Sequence, residues 1–209
     1  MKRNKSNLRL VIIETMVLMT ALQVILGVAV WLISPRIPNT RFATKMLTMA
    51  FMIPLTIAVV IYAKCRKLAL SVFPNNFSKP YVIATGIAAL LYITTPSNFT
   101  EGFVSVLTIV YGSMVTPAYE ERLFRGYIWN QFRTVMHNET AIYVWNIALF
   151  AIWHIGYMVP NMLSGNWFAV MIKVAAGAVY GAILGFIRIK TKNCWSTILA
   201  HGVLNLFVI

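Results

Sequence analysis

Glu120 and Glu121 lie side by side in an apolar stretch of a chain whose five acidic residues are all glutamates. A charged side chain near the middle of a bilayer costs at least ~2.5–3.5 kcal/mol, so a carboxylate placed there is a functional candidate by default. Arg125 follows Glu121 at the i, i+4 spacing that puts opposite charges on one helix face. It can hold Glu121 ionised as structural support while Glu120 points elsewhere. Of three histidines, His154 falls in an apolar run, and His201 is followed by Asn205 at i+4, which presents an imidazole and an amide to one cavity. His137, in the polar turn Met136-His137-Asn138-Glu139, reads as solvated. A carboxylate with a histidine can activate water as general base, and a histidine with an amide can donate hydrogen bonds to a developing oxyanion. That set suffices for peptide-bond hydrolysis without a serine or cysteine nucleophile.

The elements that must position these groups are membrane helices. The chain has 209 residues, 59% hydrophobic and 11% charged, too little polar surface for a soluble domain of that length. Its net charge of +13 is not gathered into one basic patch with interleaved aromatics, so the pattern is not that of a nucleic-acid partner. Cys65 and Cys194 are far apart and read as free thiols. The basic N-terminus opens an apolar run over 10–34, too long for a signal-peptide core, which reads as a retained first membrane helix. Further runs at 42–63, 81–97, 102–120, 140–159, 166–187 and 194–209 bring the expected count to seven spans, within six to eight. Prolines and polar clusters at 35–38, 74–80, 96–100 and 160–166 separate them. The expected fold is therefore all-α, a polytopic transmembrane helix bundle in one domain, 1–209. Gly177, Gly181 and Gly185 in the sixth span form a small-residue stripe for close helix packing.

Loop charges orient the bundle. With seven spans, fourteen cations fall on the side of Lys2, Lys64, Arg133 and Lys190, and three, Arg36, Arg41 and Lys45, on the other. The positive-inside rule then makes the N-terminus cytoplasmic. A helix over 103–135, bent at Pro117, would turn near residue 137 and return through the fifth span. Glu120 and His154 are each seventeen residues from that turn, and His201 is nine residues past Lys192. At 1.5 Å per residue, allowing for a projecting tip, all three reach a depth of roughly 13–15 Å.

Glu-Glu-x-x-x-Arg, Phe-x-x-x-His and His-x-x-x-Asn, in this order on successive spans over residues 102–209, resemble the CPBP (CAAX protease and bacteriocin-processing, or Abi) family, which includes the type II CAAX prenyl endopeptidases. The resemblance implies a multi-pass protease of the plasma membrane, its cavity open to the cytoplasm, cleaving a peptide or lipidated protein amid membrane lipid. Carried onto these positions, Glu120 would be the general base assisted by His154, His201 and Asn205 would hold the oxyanion, and Glu121 and Arg125 would support the site. The expectation is metal-free glutamate chemistry. If a metal took part, Glu120, His154 and His201 could form a two-histidine, one-glutamate zinc site, although no HExxH motif is present. The alternative within the same fold is a bacteriocin self-immunity protein. A proton-coupled transporter fits less well, because no inverted repeat is visible.

Overall fold

A computed structural model describes residues 2–94 and 102–207 of the chain. The proline-polar cluster at 96–100 and the outer ends of the runs 81–97 and 194–209 lie outside the described residues. The described residues form eight helices. α1 is Lys2–Ile33, α2 Arg41–Cys65 and α3 Lys79–Thr94. α4 runs without a break over 103–133, its α-helical pieces Phe103–Ile109, Thr116–Glu121 and Trp129–Arg133 joined by π-helical Val110–Val115 and Arg122–Ile128. Then come α5, Glu139–Tyr157; the short α6, Val159–Leu163; α7, Trp167–Thr191; and α8, Trp195–Leu206. Among the described residues four helices are long and apolar enough to cross a membrane, Asn7–Arg36, Arg41–Cys65, Glu139–Tyr157 and Trp167–Thr191, and Tyr81–Thr94 is a shorter apolar helix. The protein is thus a multi-pass helical membrane protein.

Side-chain caps open three of these helices. Thr40, Asn138 and Asn166 each accept a hydrogen bond from the backbone N–H three residues on, which satisfies one of the donors left free at a helix start. α7 ends at Lys192 in the left-handed region, φ 55°, and the chain turns at once into α8. The start of α8 is tied to the loop after α2 by Cys194 N–H to Ser71 C=O at 2.9 Å and Trp195 N–H to Val72 C=O at 2.8 Å.

α4 sits at the centre. Tyr119, Leu123, Phe124, Tyr127, Ile128, Trp129 and Phe132 are buried all round it, against Met19 and Leu22 of α1, Met52 and Val59 of α2, and Phe150 and Trp153 of α5. From Tyr119 to Phe132 the helix is buried on nearly every face, so its polar side chains Glu120, Glu121, Arg125 and Gln131 are buried with the apolar ones. The outer faces of α1, α2, α3 and α7 instead expose Leu10, Ile13, Ile57, Leu90 and Phe168, as lipid-facing surfaces do. The glycine stripe seats α7 on α5: a Cβ at 181 would come 3.2 Å from the Ile147 Cα, and one at 185 would meet the Tyr143 ring at 2.7 Å.

Polar residues of α1 and α2 lock onto α4. Glu14 Oε1 accepts from Tyr62 Oη at 2.8 Å and Tyr127 Oη at 2.9 Å, while Oε2 pairs with Arg66 at 2.6 Å. Thr15 Oγ1 donates to Gln131 Oε1 at 3.2 Å. Replacing Glu14 by alanine removes the acceptor of both tyrosines. The expected cost is about 1–3 kcal/mol, read as a lowered unfolding midpoint in detergent, with Glu14→Gln retaining most of the stability.

Candidate active site

The expected bend at Pro117 takes the form of two π-helical stretches, one on each side of the glutamate pair. Pro117 has no N–H, so carbonyls one turn earlier lose a donor. The Ser113 carbonyl instead accepts from Tyr92 Oη of α3 at 2.8 Å, and the Gly112 carbonyl from Asn205 Nδ2 of α8 at 2.7 Å. In the second π stretch the Phe124 carbonyl accepts from Asn146 Nδ2 of α5 at 2.9 Å, and the Arg125 carbonyl from Arg188 Nε of α7 at 2.9 Å. Unpaired backbone groups cost several kcal/mol in an apolar medium, so these four side chains sustain the widened turns. Short π segments interrupting an α-helix are frequent at functional sites. Here they bracket Thr116–Glu121 and decide which way its carboxylates face.

Glu121 and Arg125 form the ion pair expected from their spacing, Oε1 to Nη1 at 3.0 Å, with both side chains fully buried. Arg125 also donates to the Gly181 carbonyl at 3.2 Å and lies 4.3 Å above the centre of the Phe150 ring. The same Glu121 Oε1 meets His201 Nδ1 at 3.0 Å. A carboxylate oxygen can only accept, so Nδ1 carries the proton and Nε2 is turned toward Glu120. Glu120 Oε2 is 3.9 Å from that Nε2. Its other oxygen, Oε1, accepts from Trp153 Nε1 at 3.1 Å and Tyr157 Oη at 2.9 Å.

The structure therefore brings Glu120, Glu121, Arg125 and His201 into one buried cluster. His154 stands beside it. Its Nδ1 is 2.7 Å from the Phe150 carbonyl, its ring centroid is 4.8 Å from Phe150 and 6.0 Å from Tyr157, and no hydrogen bond joins it to Glu120 among the described residues. Phe150, the aromatic of Phe-x-x-x-His, is an edge-to-face partner of both imidazoles, 6.1 Å from His201. Asn205 turns one amide proton to the Gly112 carbonyl. His137 lies in the turn before α5, outside the cluster. Sequence reasoning did not single out Trp153 and Tyr157. Their signal was available, since Trp and Tyr polar tips at i and i+4 in an apolar helix need buried partners.

The zinc set is not assembled for a common ion: among the described residues no three His, Cys, Asp or Glu side chains converge as metal ligands. Both imidazoles hold Nδ1 on an acceptor, Glu121 Oε1 for His201 and the Phe150 carbonyl for His154, an arrangement that leaves each Nε2 free. Next to the cluster, a cavity of about 810 Å³ opens between α3, α7 and α8, walled by Ala88, Ile183, Ala200 and Val203 together with the polar Asn193 and Ser196. Ala200, next to His201 in sequence, is part of that wall.

A family model described as Type II CAAX prenyl endopeptidase Rce1-like matches residues 102–207, about half of the chain. No curated protein and no solved structure matches it.

Proposed function

The chain belongs to the Rce1-like type II CAAX prenyl endopeptidase family, and on that premise we propose that it is an intramembrane endopeptidase whose base is Glu120. The observation that carries this reading is the 3.9 Å separation of Glu120 Oε2 and His201 Nε2 inside a buried polar cluster. Two acceptors that close can share one water, each accepting a hydrogen bond from one of its protons and leaving a lone pair for a scissile carbonyl carbon. Glu120 takes the water's proton as the C–O bond forms and returns it to the leaving amine as the C–N bond breaks. His201, held through Nδ1 by Glu121 and Arg125, accepts a hydrogen bond from the water's second proton through Nε2, and donates to the developing oxyanion only when that nitrogen is protonated. Asn205 can add its second amide proton, the first being held by Gly112. His154 borders the same space across the Phe150 ring and assists by orienting the water.

Substrate, topology and location follow as parts of the proposal. The substrate is a peptide or lipidated protein entering from the membrane near its cytoplasmic face. An apolar tail lodged in the cavity beside α8 would lie one helix away from Glu120. The seven-span count and the cytoplasmic N-terminus rest on the hydropathy and loop-charge pattern, the single domain 1–209 on the lack of a visible linker or repeat, and the core over 102–209 and the plasma-membrane location on the three motifs and the family they resemble. The test is cleavage of a prenylated CAAX peptide by the purified protein in liposomes.

One further outcome concerns His154. A Cβ at residue 177 would meet His154 Nδ1 at 2.7 Å, pushing the ring off the Phe150 carbonyl. Gly177→Ala is expected to lower turnover about tenfold or more, because small misplacements at a reacting centre carry large rate costs. Turnover equal to wild type would remove His154 from the mechanism.

A further inference from the structure

Glu120 meets the water with one oxygen only because the other is taken. Its Oε1 accepts from Tyr157 Oη at 2.9 Å and from Trp153 Nε1 at 3.1 Å, and the single indole N–H is shared with Tyr157 Oη, also at 3.1 Å. Both come from one face of α5, at i and i+4. The pair is itself fixed in place. Trp153 is 2% exposed, its ring 6.0 Å from Tyr119 and 5.6 Å from Phe124, and its backbone carbonyl accepts from Gln23 Nε2 of α1 at 3.1 Å. Gly156, one turn along the same face, admits Gln23 only because it lacks a Cβ, which would come 2.6 Å from the amide carbon.

A glutamate carboxyl is a broad, roughly two-fold rotor about its last torsion. Left free, its oxygens exchange places and its plane swings. Saturating Oε1 with two donors stops both motions and directs Oε2 at His201 Nε2. From this we infer that Tyr157 and Trp153 are positioning residues, a clamp that selects Oε2 as the basic oxygen. The inference rests on the proposed role of Glu120. It extends the site to residues that the three motifs leave unspecified and, through Gln23, to a helix outside the family match. That link gives α1 a part in orienting the base.

Tyr157→Phe keeps the ring and its packing and removes only the hydroxyl. With a quenched prenylated CAAX peptide as probe and the full chain in liposomes, kcat is expected to fall about 10–100-fold, the range of a hydrogen bond to a charged group. KM should stay within about twofold of wild type and the unfolding midpoint should not move. A second readout needs no turnover. The chain has five glutamates and no other acidic side chain, so the carboxylate infrared band of Glu120 can be assigned by its loss in Glu120→Gln. The clamp predicts that this band shifts in Tyr157→Phe. Wild-type kcat with an unshifted band overturns the clamp, as does a change in KM alone. An inactive Glu120→Gln beside a fully active Tyr157→Phe overturns the clamp but leaves the site reading intact. A fully active Glu120→Gln removes the site reading and the clamp together.

Discussion

Replacing Glu120 by glutamine is expected to lower peptide cleavage by a factor of at least ~10³, with the protein still folded. General acid–base catalysis by one positioned group contributes about 10²–10⁴-fold, and Glu120 would act twice, on the attacking water and on the leaving amine. The substitution is a clean test because the amide keeps the shape of the carboxyl. Its oxygen can still accept from Trp153 and Tyr157, the two contacts that hold Oε1, so packing around α4 and α5 has little reason to change. What disappears is the proton acceptor facing His201 at 3.9 Å. The measurement is single-turnover cleavage in liposomes beside the thermal unfolding midpoint of the same preparation. Cleavage within tenfold of wild type would place the base elsewhere.

The largest expected effect on stability comes from Arg125→Met. Glu121 and Arg125 are both fully buried and paired at 3.0 Å. Removing one partner leaves the other charge uncompensated in a dry interior, which costs about 3–5 kcal/mol. Methionine fills much of the volume, so the loss is electrostatic more than a cavity effect, although the Gly181 contact and the packing over Phe150 also go. Denaturant titration in detergent should show the drop. The double variant Glu121→Met, Arg125→Met should recover part of it, since apolar replacement of a whole buried pair is often neutral. Activity should not recover with it, because His201 would have lost the carboxylate that holds its Nδ1. Equal recovery of stability and turnover would confine Glu121 to the scaffold.

Several residues were legible in the chain because their relation is local. Glu121 and Arg125, four apart on a helix, had to share a face, and they do. Glu120 and His201 were expected at one depth from counting residues to the nearest turn, and they meet within 3.9 Å. The glycines at 177, 181 and 185 pointed to close helix packing and lie against α5. Rotation about each helix axis is another matter. Counting gives depth but not facing: the partners bonded to Glu120 are Trp153 and Tyr157, with His201 opposite. Asn205 stood as an oxyanion donor, yet its amide also serves a backbone carbonyl that Pro117 leaves without its usual partner.

The sequence by itself therefore determined the class of solvent, the helical architecture and the identities of the charged pair, because hydropathy and the 3.6-residue period act along one chain, while its three ordered motifs carried the resemblance to the family. Only the tertiary structure decided which oxygen of Glu120 is free. That choice rests on two π stretches, on the side chains of four other helices that satisfy their carbonyls, and on aromatic donors from α5. Each is a contact across the bundle, set by where helices cross rather than by spacing within any one of them.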